Sequence, residues 1–116
     1  MEATVNPAPS IEAQVHRLRQ LHGEGAYVQA LEGARALLGD FPENRDLLLI
    51  EAASLRHLMR IDEALFVLER LERLQPRFSQ MHQERGLCHV ARKEAPLAID
   101  ALLEPESKVV QLHQRR

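Results

Sequence analysis

The chain repeats itself every 34 residues, and this limits it to very few architectures. Ala30, Ala64 and Ala98 are spaced by 34. So are Leu31, Leu65 and Ile99, and Leu18, Ala52 and Gly86. Leu21, Leu55 and His89 share the spacing, as do Ala26, Arg60 and Glu94, and Pro42 and Pro76. A unit this short cannot bury an apolar face alone, so it must stack on its neighbours. Two helices and their turns fill such a unit, which makes the chain an array of helix pairs.

The middle copy has the cleanest pattern. Over 61–76, Ile61, Ala64, Leu65, Val67, Leu68, Leu71 and Leu74 recur at three-to-four spacing, the signature of one amphipathic helix. Asp62 and Glu63 sit in its first turn and Arg70 and Arg73 toward its end, matching the helix dipole. Pro76 stops it. The same reading predicts helices over about 11–21, 27–38, 43–59, 77–91, 96–104 and 106–114. Ser10 is the expected N-cap of the first. His22-Gly23-Glu24-Gly25 is a turn, and Gly39-Asp40-Phe41-Pro42 ends the second helix. Leu47-Leu48-Leu49-Ile50 is apolar on every side, as in a helix buried between neighbours. Pro96 suits a first helical turn, and Pro105 breaks the helix that starts there.

The predicted organisation is therefore all-α. Residues 1–9 form a leader. Residues 10–104 hold three units, at about 11–44, 45–78 and 79–104. Residues 105–116 cap the stack or form a tail. No stretch reads as a strand.

Composition narrows the function. Aromatics are 3% and Trp is absent, so the core must be built from Leu and Ala. The net charge is -2 with Arg and Glu interleaved, which leaves no field to draw nucleic acid or an anionic membrane. Bases would find no aromatic stacking platform. The single cysteine, Cys88, excludes an intramolecular disulfide. The N-terminus has no basic segment followed by an apolar one, and the apolar runs are too short to span a bilayer. The expected location is the cytoplasm.

Helix pairs at this period, with small residues at set places, resemble the tetratricopeptide repeat. Ala52 and Gly86 stand where that family has a small residue midway along the first helix. Ala30, Ala64 and Ala98 stand at the small position early in the second, and Pro42 and Pro76 at the closing proline. Paired helices approach to about 8–10 Å only where side chains are small. Leu18 departs from the pattern, as do Gln14, Leu48 and His82, where a large aromatic is usual. Pro105 stands where an alanine should pack.

The resemblance implies an α-α superhelix of about three repeats with a C-terminal capping helix. Its concave face would be lined by the first helix of each pair. Carried over, that lining is Glu12, Val15, Arg19 and His22, then Asp46, Leu49, Ala53 and Arg56, then Gln80, Gln83, Leu87 and Val90. Val15, Leu49, Leu87 and Val90 would form an apolar floor, with Arg19 and Arg56 placed to hold a carboxylate. Relatives that clamp chaperone tails use Lys and Asn. Here Val15, Arg19, Ile50, Gln80 and Glu84 stand at those positions, which argues against that ligand.

Residues that could carry chemistry read as structural. His82 and His89 share a helix face but fall on packing positions, and Cys88 points about 100° away from His89. The expectation is helix-packing histidines and no metal. His16 and His22 lie on different faces; His57 and His113 read as surface residues. Cys88 reads as a small buried hydrophobe rather than a nucleophile. Arg70, Arg73, Arg77 and Arg85 interleave with Glu69, Glu72 and Glu84, which reads as a solvated face of ion pairs.

The expected function is binding of a partner peptide or helix, as an adaptor without catalysis, cofactor or small-molecule substrate. An exposed repeat end, or the last helix with Val109, Val110 and Leu112, could also join two copies into a homodimer. Two other readings stand beside it. Glu84-Arg85-Gly86-Leu87-Cys88-His89 is similar to stretches of bacterial repeat proteins that accompany sulfotransferase or hydroxylase domains, which implies an accessory part of a larger enzyme. A small repeat-type secretion chaperone is the other. It would need an acidic groove, and this lining is mixed in charge.

Overall fold

Ser10 and Asn44 begin helices in the same way, 34 residues apart. The Ala13 amide donates to Ser10 Oγ at 3.1 Å, and the Leu47 amide donates to Asn44 Oδ1 at 2.9 Å. Each bond satisfies one of the four free amides at a helix start. The computed structural model describes residues 9–103 (94–103 as backbone alone) and contains five helices. They are α1 (Ile11–Gly23), α2 (Tyr27–Leu38), α3 (Arg45–His57), α4 (Ile61–Leu74) and α5 (Ser79–Leu103). No strand occurs among the described residues.

The backbone carries the period as closely as the side chains do. α1 ends with Gly25 in the left-handed region, φ 86°; α3 ends with Met59 there, φ 63°, 34 positions later. The amides of Gly25 and Met59 donate to His22 O and Arg56 O, at 3.1 and 2.9 Å. Those of Ala26 and Arg60 reach back to Leu21 O and Leu55 O, at 2.9 and 2.8 Å. These paired bonds are a Schellman ending, which satisfies the last carbonyls and reverses the chain. The Asn44→Phe41 and Phe78→Gln75 amide bonds, both 3.1 Å, repeat at the same spacing.

Each helix packs on the next, and α3 also touches α1 and α5. Among the described residues, no Cα of α2 comes within 8 Å of α4. The first helices α1, α3 and α5 thus form one contacting row. α3 lies at the centre of both clusters of the core. Leu48, Ala52 and Leu55 join Ala64, Leu68, Leu71, Met81 and Cys88; Leu47 and Ile50 join Val15, Leu18, Ala30 and Ala34. The all-round apolar run in α3 is buried on two sides, as its pattern predicts.

Leu18, large where the repeat expects a small residue, is accommodated across the hairpin. A Cβ on Gly33 would stand 2.4 Å from Leu18 Cδ2. The same two positions in the next unit hold Ala52 and Val67. The first unit therefore places the large side chain on its first helix, and the second unit on its second.

The sequence expectation fails in the third unit. The pattern predicts helices over 77–91 and 96–104 with a turn between, but α5 runs unbroken from Ser79 to Leu103. The position matching Gly25 and Met59 is Lys93, and Ala91-Arg92-Lys93-Glu94-Ala95 contains only strong helix formers. Nothing there stops a helix, so the third helix pair does not form. The unit also lacks an N-cap. Phe78 stands where Ser10 and Asn44 do, and it packs instead, with the Arg45 guanidinium 4.5 Å above its ring. The expected helix over 106–114 and residues 1–8 lie outside the described residues. No helix described is long and apolar enough to cross a membrane.

Candidate functional site

The row of first helices encloses a cleft of about 270 Å³. α1 contributes Arg19 and His22, α3 contributes Leu49, Ile50 and Ala53, and α5 contributes Gln80, Gln83, Glu84 and Leu87. The floor is apolar and the rim polar. Arg19, His22, Leu49, Ala53, Gln83 and Leu87 of the predicted lining converge there, as does Gln80.

The remaining predicted residues do not line it. Val15 is 4% exposed, locked into the core between α1 and α3, and cannot meet a partner. Val90 is 53% exposed but lies beyond the cleft, one turn past Leu87. Asp46 and Arg56 bind other residues of the chain. Arg19 Nη2 lies 3.0 Å from Asp46 Oδ1, bridging α1 to α3. Arg56 Nε donates to Glu84 Oε2, bridging α3 to α5. The two arginines expected to hold a partner's carboxylate thus already hold one each.

Glu84 corrects a second expectation. Charge patterning puts it on a solvated face, yet it is 7% exposed and sits in the cleft wall against Arg56. Ile50 and Glu84 also line the cleft, at positions where the repeat register puts the clamp residues of chaperone-binding relatives, although the expected peptide floor omits them. The rest of that face is solvated as expected: Arg85 Nη2 donates to Glu72 Oε1 at 2.6 Å, and Arg70 Nη2 to Pro42 O at 2.9 Å.

An aromatic group adjoins the cleft through His22. The His57 ring stacks on Tyr27 with centroids 4.3 Å apart and planes within 1°. His22 meets both rings edge-on, at 5.1 Å each. His57 Nε2 lies 3.2 Å from Arg56 Nη2. Arginine only donates, so Nε2 accepts and the ring is neutral in this contact. Burial lowers the pKa of His22 below the usual imidazole value, against the pull of Glu84 and a backbone bond at Ala53. Burial lowers His57 too, assisted by the charges of Arg56 and His22. His57 is exposed, as its sequence position implies, and it also belongs to a ring cluster that no linear pattern announces.

His82 and His89 are exposed, contrary to the packing role expected of them. His82 Nε2 lies 2.7 Å from Pro76 O. Cys88 is fully buried, and burial raises its thiol to about 11, which removes the thiolate needed for a nucleophile. Among the described residues no cluster of three or more His, Cys, Asp or Glu has metal-binding geometry. The chain matches no family model, no curated protein and no solved structure.

Proposed function

We propose that the chain is a non-catalytic protein-interaction module of the tetratricopeptide kind, holding an extended segment of a partner protein between α1, α3 and α5. The observation that supports this best is the cleft itself: three first helices contribute one apolar floor with amide and charged groups at its rim. Its volume of about 270 Å³ suits side chains of an extended segment better than a helix some 10–12 Å across. Leu87, 41% exposed, offers apolar surface at the mouth. The exposed amides of Gln80 and Gln83 each carry a donor and an acceptor, the pair that matches a peptide group. Arg19 and Arg56 hold the walls together through Asp46 and Glu84 and do not capture ligand charge.

The test is selection of binding peptides from a display library, followed by two variants. Leu87→Asp puts charge at the mouth and is expected to weaken a selected peptide about tenfold or more. Phe66→Asp, on α4 outside the cleft lining at a residue 71% exposed, is expected to leave binding unchanged. Equal effects of the two variants would remove the cleft as the binding surface.

A further inference from the structure

Among the described residues, nothing covers one face of α5 where the repeat requires a cover. In the second unit, Leu48, Ala52 and Leu55 are at most 1% exposed because α4 lies on them. Their counterparts on α5 are His82, Gly86 and His89, and all three are exposed. Gly86 has open space where a Cβ would stand, so a helix could approach it closely. The helix that ought to cover this face is present in the sequence. Ala98 and Ile99 match Ala30 and Leu31, and Ala64 and Leu65, in register. Ala30 and Ala64 are buried against their own first helices, while Leu31 packs into the cluster of the following helix, α3. In the third unit, however, α5 continues through 95–103 as one helix instead of turning back as α1 and α3 do.

We propose that a second copy of this chain supplies the cover by exchanging the end of α5. The register is set by the first hairpin, where Leu18 meets Gly33. Carried forward by two periods, the pair becomes Gly86 and Ala101, both small. In that register the ends of the two α5 helices run antiparallel to the segments they cover, and the two-fold axis falls between positions 93 and 94. The chain thus forms a symmetric dimer in which each α5 covers the other's uncovered face, the geometry of a domain exchange. Pro96 marks the hinge. It has no amide, so the Arg92 carbonyl lacks its helical donor, and the helix is weakest beside the axis. This face is adjacent to the cleft-lining side of α5 but separate from it, and the inference does not depend on cleft binding.

The test is mass in solution by light scattering after size exclusion. Wild type is expected near twice its 13.2 kDa chain mass. Gly86→Arg fits the monomer, since no described atom lies within 4 Å of a Cβ there, but it blocks close approach and should halve the mass with helical circular dichroism retained. Lys93→Gly restores the left-handed stop found at Gly25, lets the helix fold back on its own chain, and should also shift the mass to monomer. A wild-type monomer at all concentrations, or a dimer that persists in Gly86→Arg, would overturn the proposal. A Lys93→Gly protein as dimeric as wild type would overturn the exchange.

Discussion

Leu18 occupies the space that Gly33 leaves open: a Cβ on Gly33 would come within 2.4 Å of its Cδ2. The equivalent pair one period later is Ala52 and Val67, the same contact with the sizes reversed. Leu18→Ala alone should cost about 2–5 kcal/mol, since Leu18 is 6% exposed and the cavity cannot fully collapse. Adding Gly33→Val copies the second unit into the first and should recover most of that loss. A double-mutant cycle of urea melts then gives a favourable coupling of about 1–3 kcal/mol. Additive losses would mean that the two hairpins do not share one packing register.

Met59 holds a left-handed conformation that only glycine adopts freely. Such a backbone costs an L-residue about 1–2 kcal/mol, and Met59, 56% exposed, has little packing to lose. Glycine's extra freedom in the unfolded chain offsets about 0.4–1 kcal/mol. Met59→Gly should therefore raise stability by about 0.5–1 kcal/mol, seen as a higher melting temperature. Gly25→Ala should lower it by about 1 kcal/mol through backbone strain alone, because no atom lies near its Cβ position.

Glu84 is held in the cleft wall by Arg56. The Glu84 side chain is 9% exposed and that of Arg56 18%. Arg56→Met leaves a nearly buried carboxylate unpaired and should cost about 2–4 kcal/mol, somewhat under the figure for fully buried pairs. Arg56→Met with Glu84→Leu removes both charges and should return stability close to wild type. Chemical denaturation of the three proteins checks the order.

The ring cluster makes stability depend on pH. His22 and His57 both titrate below their unfolded value in the fold. Between those folded values and about 6.5, the unfolded chain binds more protons than the native one. Stability is thus fully present above about pH 6.5 and falls as the pH drops through that window. The urea midpoint should be lower at about pH 5.5 than at about pH 7.5. His57→Phe keeps a ring against Tyr27 and should flatten the slope.

Much of the fold is legible in the sequence because the period is written twice, in side chains and in turns. Ala30 and Ala64 are fully buried, as small residues at a helix crossing must be. Ser10 caps α1 as its position demands. The third unit departs from its pattern because Pro96 has the look of a helix start, while no residue near Lys93 ends the helix before it. At the cleft, the repeat positions bring Arg19, His22, Leu49, Ala53, Gln83 and Leu87 together. They fail for Val15, which the neighbouring helix covers. They also give no hint that Arg56 is taken up by Glu84, because a contact between separate helices has no linear signature. The Tyr27–His57 stack is hidden for the same reason: it joins the start of α2 to the end of α3.

The cleft is the centre of the functional account, and amide chemical-shift mapping tests it most directly. A peptide selected against the chain is titrated into isotope-labelled protein. The account predicts that the largest shifts gather at Arg19, Leu49, Ala53, Gln83 and Leu87, on the three first helices, while α2 and α4 change little. Shifts centred on Phe66 and the outer faces of α2 and α4, or spread without a centre, would contradict it.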